Sequence, residues 1–110
     1  MITASFKMTE DGKSIKGFSV IGHSGYADAG NDIVCASVSS AVMLTVNTAA
    51  EFFGIDLDLK VDKGDIRCEV KEISENSDRL LNSLKAHLSE VSSDFPNNLK
   101  VTYRRCDKSC

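Results

Sequence analysis

Residues 32–53 read DIVCASVSSAVMLTVNTAAEFF, an unbroken run without Pro or Gly that Gly54 closes. Rich in Ala, Val, Leu and Met, this run predicts one long helix from Asp32 to Phe53. At 1.5 Å per residue it would extend roughly 30 Å, long for so small a chain. Ser37, Ser40, Asn47 and Glu51 recur at helical spacing as a narrow polar stripe, while Val34, Val38, Val42, Val46, Ala49, Phe52 and Phe53 leave the remaining perimeter apolar. A helix wetted along one stripe is either central in its fold or packed against a second subunit as well as its own sheet.

On either side of this helix the period changes from helical to alternating. Ile2, Ala4, Phe6 and Met8 alternate with Thr3, Ser5 and Lys7, the pattern of a half-buried strand, and Glu10-Asp11-Gly12 supplies a hairpin turn. A second strand runs from Ser14 to about Gly22, with Phe18 and Val20 on one face. Downstream, Ile55, Leu57, Leu59 and Val61 alternate with Asp56, Asp58 and Lys60; after the turn Asp62-Lys63-Gly64-Asp65, Ile66, Cys68 and Val70 complete a second hairpin. Ser77 is placed to cap a second helix whose buried stripe is Leu80, Leu81, Leu84, Leu88 and Val91. Phe95-Pro96-Asn97-Asn98 ends that helix, and Leu99, Val101 and Tyr103 form a last strand. The expected fold is α+β in two layers: a mostly antiparallel five-stranded sheet with two helices on one face, in the order ββαββαβ. No linker interrupts residues 1–110, which read as a single domain.

The 110 residues are 42% apolar and 26% charged, the balance of an ordinary globular chain able to bury a core. A formal net charge of -3 argues against nucleic acid as the main partner. The apolar run Ala41–Val46 is far shorter than the roughly 20 residues that cross a bilayer, so no membrane role is expected. The start, MITASFKMTEDGK, has neither a basic lead nor an apolar signal core, which favours a cytoplasmic, reducing compartment. Cys35, Cys68, Cys106 and Cys110 form no C-x-x-C pair, and His23 and His87 are the only histidines. A zinc site and a disulfide scaffold are both poorly supported, and no cofactor is expected.

The segment before the helix, GHSGYADAGNDIVC over residues 22–35, brings a His and a Cys together across a loop of small residues. With Asn31 or Asp32 as N-cap, Cys35 falls in the first turn, where unpaired backbone N–H groups favour the thiolate, the nucleophilic form of the side chain. His23, at the end of the preceding strand, can accept the thiol proton and later protonate a leaving amine. Gly22, Gly25 and Gly30 allow the loop to act as a lid or to bring backbone N–H groups to an oxyanion. Tyr26 packs over the site or anchors that lid. Asp32 either caps the helix or orients His23, and the sequence does not separate the two. Plainer readings stand beside these: Cys35 as a small buried hydrophobe, His23 as an exposed loop residue, the glycines as simple turns.

Over residues 22–39 the run GHSGYADAGNDIVCASVS resembles the signature of the ribosomal-processing cysteine proteases, G-H-A/S-x-Y-A-x-x-G-x-D-I-V-C-A-x-V-S. Element order and length fit that family along nearly the whole chain. The resemblance implies a catalytic dyad of His23 and Cys35, with Asp32 at the family's acidic position, and a homodimer. It also implies a substrate: the precursor of large-subunit ribosomal protein twenty-seven, whose N-terminal extension is removed by a cut after a Phe-Phe pair. Ser24 stands where Ala is common, and Cys106 and Cys110 have no place in the pattern. A non-enzymatic alternative is a thiol redox sensor, or a ribosome-associated binding or dimerisation module, with Cys35 reversibly oxidised.

Overall fold

The computed structural model describes residues 1–22 and 29–106, with the side chains of residues 29–32 excepted. Its elements are β1 (Ile2–Met8), β2 (Ile15–Ile21), α1 (Ala29–Asn47) continued by a π-helical turn (Thr48–Phe52), β3 (Leu57–Asp62), β4 (Asp65–Val70), α2 (Glu75–Asp94) and β5 (Leu99–Arg105). The sheet order is β3-β4-β2-β1-β5. Every pairing is antiparallel except that of β5 with β1, where Leu99 lies opposite Ile2 and Val101 opposite Ala4. The predicted ββαββαβ order and mostly antiparallel sheet are therefore found.

Alternation along the strands sends one parity into a shared core. Ile2, Ala4, Phe6 and Met8 join Phe18, Val20, Cys68 and Leu99 there, with Val34, Val38, Val42 and Val46 of α1 and Leu81, Leu84 and Leu88 of α2 laid over them. The opposite parity is polar. Ser5 hydrogen-bonds Thr102 at 2.9 Å, and Lys7 pairs with Glu69 across the outer face.

Helix boundaries depart from the sequence reading in three ways. Firstly, α1 begins at Ala29, so Gly30 lies inside the helix rather than in a loop, Asp32 lies past the cap, and Cys35 occupies the second turn. Secondly, the helix widens into a π turn after Asn47, where Thr45 Oγ1 donates to the Ala41 carbonyl at 2.8 Å, and Gly54 ends it at φ +62°. Thirdly, α2 is capped by Ser74, not Ser77. Ser77 N–H donates to Ser74 Oγ at 3.1 Å while Ser74 N–H donates to Ser77 Oγ at 2.9 Å, a reciprocal capping box.

Ile33–Phe52 has a mean hydropathy of 1.6 and is long and apolar enough to cross a membrane by length and composition. Its interrupting Ser, Thr and Asn residues shorten the apolar runs without lowering the average much, which is why run length alone understates it. In this fold the valine stripe of α1 is core against the sheet, and the apolar surplus faces outward: Leu44 is 69% exposed and Phe52 80%. The chain just past β5 stays tied to the sheet. Cys106 is buried, and its N–H donates to the Met8 carbonyl at 2.9 Å; Cys110 lies outside the described residues.

Candidate active site

Cys35 lies on the flank of α1, half-buried and packed against the core. It opens onto a cavity of about 290 Å³ bounded by α1, the end of β2 and the β3–β4 hairpin. The floor follows from sheet register. Val61 stands opposite Ile66 and Ile66 opposite Val20, so three β-branched side chains form a row on the α1 side of the sheet. Val38 and Ser39 of α1 complete the wall next to Cys35, while Asp62 and Asp65 stand at the hairpin end. Both carboxylates have local partners: Asp62 Oδ1 accepts the Lys63 N–H at 2.8 Å, and Asp65 pairs with Arg67 at 3.1 Å.

Gly22 lines the same cavity, and the described chain stops there, one residue before His23. Its conformation is imposed. Gly22 has φ +106°, its N–H donates to the Gly64 carbonyl at 2.9 Å, and a Cβ would collide with the Met1 carbonyl. A glycine expected in a flexible loop is thus a fixed anchor between β2 and the β3–β4 hairpin, with its N–H already committed. His23, Gly25 and Tyr26 lie outside the described residues, as does the side chain of Asp32. Because α1 starts at Ala29, Cys35 comes a turn after the unpaired first-turn N–H groups rather than among them, contrary to the expectation from an Asn31 or Asp32 cap.

The cysteine within the sheet is chemically different. Cys68 sits between Phe18 and Leu59 in the ladder and is 2% exposed. Burial pushes its thiol up from 9.0 to about 11, and the nearby charges of Glu69 and Asp58 add to the effect. A thiol so placed stays protonated and inert. Among the described residues no group of three His, Cys, Asp or Glu side chains could hold a metal ion. The sequence carries a local signal for Cys35 and for the second hairpin, but none that Val61, Asp62, Asp65 and Ile66 face the sulfur. The turn at residues 62–65 was legible, yet its approach to α1 is a long-range contact with no local signal.

Comparison with known proteins shows the family. The family model described as cysteine protease Prp matches residues 1–100. The ribosomal processing cysteine protease Prp of Bacillus subtilis is 31% identical over 109 residues, covering 93% of this chain and 96% of its own. Two solved structures of the essential ribosomal processing protease Prp from S. aureus share the fold. One is in complex with a substrate peptide and has a TM-score of 0.87; the other, with a covalently linked product peptide, has a TM-score of 0.85. Each is 20% identical and covers 94% of this chain and 100% of its own. By the extent of the family match and the identity to the B. subtilis protein, this chain belongs to the Prp family of cysteine proteases.

Proposed function

We propose that this protein is a cytoplasmic endopeptidase, a single domain over residues 1–110, that removes the N-terminal extension of large-subunit ribosomal protein twenty-seven after a Phe-Phe pair. The observation that carries the reading is the position of Cys35 on the wall of an apolar cavity large enough to take a bulky side chain. Burial of an aromatic ring against Val20, Val61 and Ile66 is favourable in proportion to the area removed from water.

In this mechanism His23 takes the thiol proton and Cys35 Sγ bonds to the scissile carbonyl carbon, whose oxygen becomes an oxyanion held by backbone N–H groups beyond Gly22. Collapse of the tetrahedral intermediate breaks the C–N bond, and the amine leaves with the proton from His23. Water then gives a proton to His23 as its oxygen bonds to the thioester carbon; the C–S bond breaks, His23 returns its proton to the sulfur, and the acid product departs as a carboxylate after losing its own proton to solvent. Asp32 orients His23. The outer face of α1, with Ile33, Leu44 and Phe52 exposed, supports a homodimer in which a second copy covers it.

The test is cleavage of a blocked peptide with a central Phe-Phe pair, with product masses locating the cut. Wild type should cut after the second Phe, and Cys35→Ala and His23→Ala should each lose at least about a thousandfold in kcat. Equal cleavage by wild type and Cys35→Ala overturns the assignment. Rapid alkylation of Cys35 without any His23-dependent turnover would indicate a thiol sensor instead. Light scattering of wild type beside Leu44→Asp checks the dimer.

A further inference from the structure

The hydrogen-bond phase of the sheet fixes which backbone groups of its edge strand face outward. Gly22 N–H donates to the Gly64 carbonyl at 2.9 Å, so along β4 the residues in phase with Gly64, namely Ile66 and Cys68, bond to β2. Just beyond the other end of the hairpin, Lys71 N–H donates to the Asp56 carbonyl at 3.1 Å, so the β3 residues in phase with Asp56, namely Asp58, Lys60 and Asp62, are those bonded to β4. Leu57, Leu59 and Val61 therefore direct both N–H and C=O away from the sheet. Among the described residues no strand pairs with that edge.

The same residues carry the apolar parity of β3, the side that faces α1. Val61 lines the Cys35 cavity and is 61% exposed. The opposite edge of the sheet, β5, carries Lys100, Arg104 and Arg105, charges of the kind that discourage strand pairing, and contributes no residue to the cavity. Only the β3 edge combines outward backbone pairs, apolar side chains and continuity with the nucleophile.

We infer that the substrate docks as a sixth strand on β3, using the outward N–H and C=O groups of Leu59 and Val61, so that every second side chain points into the Cys35 cavity. This rests on the protease reading above and deepens it by assigning the docking surface. In an antiparallel or parallel ladder, residues opposite one another share a face. A peptide residue opposite Val61 thus sends its side chain toward α1, whereas its neighbour points to the polar face beside Lys60. One ring of a Phe-Phe pair enters the cavity, and the other lies across the strand. Recognition is by main chain first and by alternate apolar side chains second.

Two measurements separate this inference from the protease reading. In the first, each amide of the Phe-Phe peptide is N-methylated in turn and cleavage by wild type is measured. KM should rise roughly three- to tenfold at every second position, the cost of one hydrogen bond, and change little between. Val61→Pro deletes an outward N–H while leaving the β4 ladder intact, as edge positions permit, and should raise KM by a similar factor relative to Val61→Ala. In the second, the unmodified peptide is added to Cys35→Ala protein and amide exchange is followed. Leu59 and Val61 amides should be protected, with Tyr103 on the far edge unchanged.

Cleavage without period-two sensitivity, or without protection at Leu59 and Val61, overturns strand addition and leaves the protease standing. Protection without cleavage by wild type does the reverse. Absence of both overturns both.

Discussion

Val61 on the edge strand β3 and Cys35 on α1 line one cavity. The relationship depends on the turn between Asp62 and Asp65, which brings Ile66 back beside Val61 and on toward Val20. The floor beneath the sulfur is therefore aliphatic and built from the sheet. Filling it should impair binding more than chemistry. Ile66→Phe should raise KM for the Phe-Phe peptide about tenfold, with kcat within about a factor of two, the pattern of lost ground-state binding. Thermal unfolding should show a cost below about 1.5 kcal/mol, since the added ring has empty space to occupy. A fall in kcat at unchanged KM would place the cavity elsewhere in the reaction.

Gly22 offers a sharper test of the anchor. At φ +106° and against the Met1 carbonyl, an alanine there meets both backbone strain and a backbone collision. Gly22→Ala should cost about 1–3 kcal/mol by urea unfolding and reduce kcat/KM more than stability alone explains, because His23 follows directly. Gly54→Ala is the control. Gly54 also has positive φ, +62°, but nothing lies within 4 Å of the added Cβ, so only the conformational cost of about 1 kcal/mol applies. Equal losses for the two variants would show that the Met1 contact is immaterial.

The hairpins and both helices were legible because their periods, two and 3.6, are local properties of Ile2–Met8, Leu57–Val70 and Leu80–Val91. The start of α1 was not. Gly30 is a poor interior helix residue, so local propensity places the start after it, whereas the structure carries the helix back to Ala29. At Ser74 and Ser77 two equivalent side chains compete for one cap, and only the chain direction before α2 decides between them. The motif around Cys35 was legible as chemistry, but the apolar floor opposite it comes from residues far downstream. Tertiary contact, not spacing, put them there.

A second tertiary contact without local signal is the carboxylate clamp between α2 and the first hairpin. Asp78 Oδ2 accepts the Ser14 hydroxyl at 2.7 Å, and Oδ1 accepts the Ile15 N–H at 3.1 Å. Ile15 is fully buried, so removing the acceptor strands its amide away from water. Asp78→Ala should lower stability by about 2–3 kcal/mol, and Asp78→Asn by less because its carbonyl still accepts one bond. Chemical denaturation of the two variants beside Ser14→Ala checks the order. If Ser14→Ala costs as much as Asp78→Ala, the amide bond contributes nothing.

Cys68 makes the stability of the fold depend on alkali in a calculable way. Its thiol ionises at about 11 when folded, against 9.0 ordinarily, because burial and the charges of Glu69 and Asp58 disfavour the thiolate. A value raised in the folded state means that the native protein holds this proton more tightly. The contribution is therefore complete below pH 9 and is lost as pH climbs toward 11, where the unfolded chain gains by ionising first. The whole effect is about 2–3 kcal/mol, with about 1 kcal/mol already lost by pH 10. Replacing Cys68 by Ala removes the titration along with the sulfur. The stability difference between wild type and Cys68→Ala should hence be constant from pH 6 to 8 and shift by about 1 kcal/mol against wild type by pH 10, as measured by urea unfolding in matched buffers. A difference that stays flat through pH 10 would mean that the Cys68 thiol reaches water more readily than its place between Phe18 and Leu59 allows.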